Sequence, residues 1–225
     1  DWLLGFSKGL KQLAQEHQLS LIGGDTTQGP LSITIQIAGH VSPQLALRRD
    51  RAVVGDRVFV SGSLGGAALA LEALQQKVML TEDDASLCLP RLLFPTPRVT
   101  LGQQLLGVAH ACIDLSDGLQ GDLQHILTKS QVGAVIHLEA LPLFPLLTKY
   151  KNRTQAIQSA LTFGDDYELC FTAPVQQRAQ IAKISQMLDL PIYEIGTITE
   201  EKSLKYIEGN TLFDIHCLGS AYEHF

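Results

Sequence analysis

The chain has 225 residues, 45% of them hydrophobic and 18% charged, with a formal net charge of -6. That composition supports one sizeable core or two modest ones and is too apolar and too weakly charged for a disordered chain. The acidic balance and the lack of a long Lys/Arg run exclude a general polyanion-binding surface, so nucleic acid is not an expected partner. Cys88, Cys112, Cys170 and Cys217 lie far apart with no C-x-x-C pair, which reads as reduced thiols of a cytoplasmic protein rather than a disulfide framework. The histidines are scattered without the spacing of a helical zinc site. No apolar run approaches the ~20 residues that span a bilayer, and no signal-peptide pattern is present, so no membrane partner is expected.

Asp1 opens directly onto a helical pattern, from which further chain upstream is expected. Trp2, Phe6, Leu10, Leu13 and Ala14 recur at helical spacing, closed by the polar stretch 15–18. Leu19 to Ile22 reads as a short strand ending in Gly23-Gly24-Asp25. After the Gly29-Pro30 turn, Leu31, Ile33, Ile35 and Ile37 alternate with Ser32, Thr34, Gln36 and Ala38, the period of a strand with one buried face. Residues 42–55 follow neither period and carry Arg48, Arg49, Asp50 and Arg51, which places a domain boundary near residue 50. Beyond it the pattern predicts a strand over 57–61, a Gly-rich turn into a helix ending near Gln76, and a helix over 83–94 strained or broken at Pro90. Pro95-Thr96-Pro97 punctuates the chain before a helix over 98–109. A strand over 111–115, a helix to about Lys129, a strand over 132–138, a helix over 156–161, a strand over 167–173 and a helix over 176–188 follow. A strand over 192–198 and a strand pair about Gly209-Asn210 complete the pattern. Strands and helices alternate without a strict βαβ rhythm, so the fold class is α+β or mixed α/β.

Three acidic, glycine-containing turns stand at strand ends. Gly23-Gly24-Asp25-Thr26-Thr27 combines glycines that let a ligand approach the backbone with oxygen ligands for a hard cation; taken alone, the pentapeptide reads rather as an ordinary tight turn capped by Asp25. In Asp114-Leu115-Ser116-Asp117-Gly118-Leu119, with Asp122 a turn further on, a strand delivers one carboxylate and the following turn sets a hydroxyl and a second carboxylate beside a helix N-terminus. Capping explains one of those acids but not two, so a magnesium site is expected there. Gly164-Asp165-Asp166-Tyr167-Glu168-Leu169 leads into another strand, as a further acidic cluster or as a solubilising loop. There is no G-x-x-x-x-G-K-[ST], no kinase H-R-D or D-F-G set, no G-x-S-x-G elbow and no Cys/His dyad. Chemistry on phosphates would rest on positioning and on charge neutralisation by cations.

Leu21 to Thr27 with Gly29-Pro30-Leu31, Pro95 to Arg98, Asp114 to Leu119 and Asp165 to Leu169 together resemble thiamine-monophosphate kinases in order and spacing, over nearly the whole chain. That family belongs to the aminoimidazole-ribonucleotide-synthetase-like (PurM-like) superfamily. The resemblance implies an incomplete N-terminal dimerising, ATP-binding domain over residues 1–50 and a PurM C-terminal-like domain over 51–225. It also implies ATP-dependent, magnesium-dependent phosphorylation of thiamine monophosphate to thiamine diphosphate, in a cytoplasmic homodimer. By the same resemblance Gly24 and Asp25 meet nucleotide and magnesium, Arg49 meets the ATP phosphates, Asp114 and Asp117 hold magnesium, and Ser116 contacts ATP. Asp165 and Tyr222 match substrate-binding positions, and no general base is expected. The chain has Phe163-Gly164-Asp165-Asp166 where the family usually has Gly-Gly-Glu-Asp, and Asp50-Arg51 where Ser-Gly is usual. Family members carry a further upstream metal-binding segment, so weak or no kinase activity is expected of this stretch alone. The rival expectations are a superfamily synthetase and a catalytically silent nucleotide- or metal-binding module.

Overall fold

The computed structural model describes residues 1–213, which fall into two compact units, Asp1–Ser42 and a second from Pro43 onward. The first contains one helix, α1, over Trp2–Glu16. Trp2 and Phe6 stack along it with ring centroids 5.6 Å apart, the i,i+4 contact that helical geometry favours. Residues 19–22 and 31–37, expected as strands, are not strands in the structure. The alternation of Ile33, Ile35 and Ile37 is a genuine period, but a strand exists only through bonds to a neighbouring strand. Among the described residues this unit holds no strand, and these isoleucines are exposed.

Among the described residues the second unit is built on a sheet of seven strands: β1 (Arg57–Ser61), β2 (Ala111–Asp114), β3 (Gly133–His137), β4 (Leu169–Ala173), β5 (Ile192–Thr199), β6 (Leu204–Glu208) and β7 (Thr211–Phe213). Their order is β2-β4-β1-β5-β3-β6-β7, antiparallel throughout except for the parallel β3–β6 pair. The helices are α2 (Gly66–Leu74), α3 (Glu82–Leu93), α4 (Val99–Gln104), α5 (Leu119–Ser130), α6 (Leu147–Tyr150), α7 (Arg153–Thr162) and α8 (Arg178–Met187). The architecture is mixed α/β.

Alternation along the central strands assigns the two sheet faces. Val58 and Val60 of β1 and Cys170 of β4 join Leu123, Ile126 and Leu127 of α5 and Ile157 and Leu161 of α7 in one core. Phe59 and Phe171, directly paired across β1 and β4, point the other way and stack at 5.3 Å. They form a second core with Leu101 and Leu105 and with Ile181 and Ile184 of α8. Each large apolar side chain buried in these layers contributes roughly 1.5–3 kcal/mol. A third cluster joins Leu69, Cys88, Leu147 and Ala156 where α2, α3, α6 and α7 meet.

Two helices differ from expectation. α3 runs through Pro90 to Leu93 without a break, although the proline supplies no N–H to the turn before it; Phe94 N–H to Pro90 O (3.0 Å) closes the final turn. The Thr81 hydroxyl caps its start by accepting from Asp84 N–H. α4 ends at Gln104 rather than near Ala109, because the following residues turn tightly toward Gly107, whose φ of +76° leaves helical space.

One carboxylate ties this unit together. Glu168, 1% exposed, accepts from Ser61 Oγ at 2.7 Å, from Arg98 Nε at 2.7 Å and Nη2 at 2.5 Å, and from Arg91 Nη2 at 3.3 Å. Its own carbonyl accepts from Leu115 N–H at 2.8 Å. The residue therefore joins the ends of β1 and β2, α3 and the 95–98 segment to the start of β4. A buried ion cluster that loses one member leaves uncompensated charge. Glu168→Ala is expected to lower the free energy of unfolding by about 3–5 kcal/mol, read by urea denaturation; a loss under about 1 kcal/mol, typical of an exposed pair, would show that the cluster does not hold the unit.

Candidate functional site

β2 ends at Asp114, exposed at the strand terminus, and the chain turns through Ser116 and Asp117 into α5. The turn is fixed from below by Asp122, whose buried carboxylate accepts from the backbone N–H groups of Ser116 and Asp117, each at 3.0 Å. Burial raises the pKa of Asp122, opposed by those amide bonds. The sequence sets Asp122 one turn beyond the expected magnesium acids, Asp114 and Asp117, and gives it no role of its own. The structure gives its carboxylate to the backbone, leaving Asp114, Ser116 and Asp117 to face outward.

Opposite stands the segment carrying Arg48, Arg49 and Asp50. Cys112 N–H donates to the Arg48 carbonyl at 3.0 Å, adding the segment to the free edge of β2. The Ser130 hydroxyl, at the C-terminal end of α5, donates to the Arg49 carbonyl at 2.9 Å and accepts from Ala52 N–H at 3.0 Å. Between the two walls lies a cavity of about 570 Å³ lined by both segments and by His125 and Lys129 of α5. Arg48 pairs with Asp50 through Nε at 2.7 Å, which holds the Asp50 carboxyl below the usual range. Among the described residues no three of His, Cys, Asp or Glu converge closely enough to hold a metal by themselves.

The 163–168 turn docks on the back of the 114–118 turn. Asp165 N–H donates to Ser116 O at 3.0 Å and Tyr167 N–H to Leu115 O at 2.9 Å. Gly164 sits so close that a Cβ there would overlap the Ser116 carbonyl, and Gly118, at φ +105°, passes against the backbone of 161–163. Asp165 and Tyr167 take left-handed φ values of 65° and 48°, a conformation rare for a tyrosine and sustained by the docking. Alternation then separates the acids. Asp166 turns inward and accepts from Gly65 N–H at 2.7 Å and Ala67 N–H at 3.4 Å, capping α2. Glu168 enters the arginine cluster, and Asp165 stays half-exposed beside Tyr167, whose hydroxyl donates to it at 3.2 Å.

Of the residues singled out in the sequence, Arg49, Asp114, Ser116 and Asp117 thus share one cavity, with Asp165 one turn behind Ser116. Gly24 and Asp25 belong to the first unit, where both are exposed and Gly24 has φ +148°. Tyr222 lies outside the described residues. His125, Lys129 and Ser130 were passed over; helical spacing sets His125 and Lys129 opposite the Leu119, Leu123, Ile126 and Leu127 stripe of α5, while Ser130 falls in line with that stripe at the end of the helix.

A mixed sheet with an open, polar cavity at the end of its edge strand defines the class. Residues 53–208 match the family described as AIR synthase related protein, C-terminal domain. The chain is 41% identical to the thiamine-monophosphate kinase of Haemophilus influenzae, an alignment that takes in the whole chain and 69% of that protein. The crystal structure of the thiamine-monophosphate kinase from Stenotrophomonas maltophilia superposes with a TM-score of 0.82 at 44% identity, covering 92% of this chain and 67% of that one. AaThiL, solved in complex with AMPPCP and TMP, superposes at 0.65 with 32% identity, covering 80% of this chain and 54% of that one. The chain belongs to the thiamine-monophosphate kinase family, of PurM-like fold.

The docked turn carries its own pH signature. Burial pushes the Asp166 carboxyl up to about 7, against the two amide bonds and the nearby Arg91 that favour its anion. Between about pH 4 and pH 7 the folded chain therefore binds a proton that the unfolded chain has released. The stabilisation is full below about pH 4 and is lost as pH rises through 7. Asp166→Asn is expected to show a shallower fall in melting temperature from pH 5 to pH 8 than the parent; equal slopes would mean that Asp166 is ionised throughout.

Proposed function

We propose that this chain provides the phosphate-handling part of an enzyme that phosphorylates thiamine monophosphate to thiamine diphosphate with ATP. The observation that carries the reading is the shared cavity, in which Asp114, Ser116 and Asp117 face Arg49 across about 570 Å³ in a member of the thiamine-monophosphate kinase family. The proposed domain division is an ATP-binding N-terminal part up to residue 50 and a C-terminal domain from 51, within a cytoplasmic homodimer. Among the described residues no helix is long and apolar enough to cross a membrane.

Arg49 is assigned to the ATP phosphates, since an exposed guanidinium offers a forked set of donors to phosphate oxygens. Ser116, held by Asp122, is assigned to the nucleotide, with Gly24 and Asp25 as further nucleotide contacts. Asp165 and Tyr222 are assigned to the thiamine moiety. Asp114 and Asp117 suit magnesium, which is commonly bound by one or two carboxylates together with substrate phosphates and water rather than by an all-protein cage; Asp25 is proposed as a further ligand. When bound, magnesium supplies neutralisation of the negative charge that two phosphate-bearing substrates bring together.

The proposed reaction is direct and in line. A terminal phosphate oxygen of thiamine monophosphate forms a bond to the γ-phosphorus of ATP, the bond from that phosphorus to the β–γ bridging oxygen breaks, and the electron pair leaves with ADP. The attacking oxygen is already anionic near neutral pH, the second phosphate pKa being about 6, so no side chain has to remove a proton. The work of this chain is to hold two anions at the right separation and angle.

In the full-length protein bearing this chain, ATP is expected to yield thiamine diphosphate only when magnesium is present. Asp114→Asn and Asp117→Asn should each lower kcat/KM about 100-fold or more with little change in melting temperature. Nucleotide binding without any product from the parent protein would indicate a silent binding module instead.

A further inference from the structure

α5 presents two faces. Its apolar face, with Leu123, Ile126 and Leu127, is buried in the sheet, while His125 and Lys129, one turn apart on the same exposed side, line the cavity. They stand beyond the acidic end of β2, on the same side as Arg49, whose carbonyl the neighbouring Ser130 hydroxyl clamps. Many cations elsewhere in this unit already hold an acid. Arg91 and Arg98 are bound to Glu168, Lys149 to Asp84, Lys151 to Glu72, Arg153 to Glu208 and Arg178 to Glu194. Arg49, His125 and Lys129 have no ionic partner among the described residues, yet they gather around a single cavity.

We propose that His125 and Lys129 are nucleotide-binding residues that, with Arg49, form a wall receiving the polyphosphate chain of the nucleotide. The assignment rests on the kinase reading above and extends it to residues on a different element. The carboxylates at the end of β2 suit a divalent cation, and Arg49 with the exposed His125 and Lys129 of α5 suits phosphate oxygens directly; Asp50 and Asp122, which also line the cavity, are already held by Arg48 and by the backbone of the 116–117 turn. A Lys ammonium is a compact point charge that reaches along its stem to a phosphate without a fixed geometry. Placed one helical turn apart, His125 and Lys129 can touch successive groups of an extended chain. Both side chains are exposed, so replacing them leaves the core of α5 intact.

The test uses the full-length protein and two readouts. Binding of the non-hydrolysable analogue AMPPCP and of inorganic tripolyphosphate is measured by calorimetry, and thiamine diphosphate formation is followed in steady state. Lys129→Ala is expected to weaken AMPPCP and tripolyphosphate binding and to raise KM for ATP about tenfold, with Lys129→Arg recovering most of the loss. His125→Ala should act in the same direction more weakly, and KM for thiamine monophosphate should stay within about twofold of the parent. Unchanged AMPPCP and tripolyphosphate binding in the double variant overturns the wall, whatever the turnover. An equal rise in KM for both substrates also overturns it, because that marks a general disturbance of the site. If the parent binds AMPPCP but makes no thiamine diphosphate, the kinase reading falls, while weaker binding by Lys129→Ala would still uphold the wall. A parent that binds neither probe sinks both.

Discussion

The fold of the second unit turns on a single buried carboxylate. Glu168 gathers two guanidinium groups and a hydroxyl from three distant stretches of chain, while its backbone hands a carbonyl to the end of β2. Desolvating one carboxylate and two arginines is costly, and only dense, short bonding offsets it. That requirement fixes where the 163–168 turn can lie. With Glu168 anchored, Asp166 falls at the amino end of α2, and Gly164 is pressed against Ser116 too closely for any side chain.

The turn bearing Ser116 and Asp117 is therefore shaped from two sides. Asp122 holds its amides from within α5, and Asp165 and Tyr167 hold its carbonyls from the docked turn. With donors and acceptors satisfied internally, the backbone has little freedom to follow a ligand. Preorganisation of this kind matters for phosphoryl transfer, where the protein contributes orientation and a fixed field rather than covalent chemistry. The left-handed backbone at Asp165 and Tyr167 belongs to the same device: strain at these residues is sustained by the bonds that the docking makes.

Much of this was legible in the residues, and the failures have physical causes. Arg57–Ser61 and the 111–114 strand declared themselves through apolar runs bounded by turn residues, and the Asp114–Asp117 cluster announced a site because a strand end and a helix start converge on it. Ile33, Ile35 and Ile37 have the period of a strand without the partner that makes one. Glu168 looked like a solubilising acid before a strand, because its arginines lie 70 and 77 residues away and no local pattern records such a pairing. Asp122 stands one turn beyond the acid cluster in sequence, and spacing alone does not say that its carboxylate turns inward to hold the backbone. His125 and Lys129 resembled any solvated helix face until the opposite wall of the cavity was in place.

An acidic protein that handles two phosphate-bearing substrates has to solve its electrostatics locally. A net charge of -6 governs encounters at a distance, but charges separated by more than about 8 Å of physiological salt solution scarcely feel one another. Within the cavity the order of charges decides, and its cations differ in kind from those of the fold. Arg91 and Arg98 are consumed by Glu168, so a phosphate approaching them would compete with a buried carboxylate. The side chains of Arg49, His125 and Lys129 stand at the solvent face with no ionic partner among the described residues, and a ligand meets the charges of Arg49 and Lys129 and the ring nitrogens of His125 without first breaking an ion pair. The arginines that hold Glu168 are thus distinct from the unpaired Arg49 and Lys129 that line the cavity, which places ligand-facing charge on α5 as well as at the arginine segment.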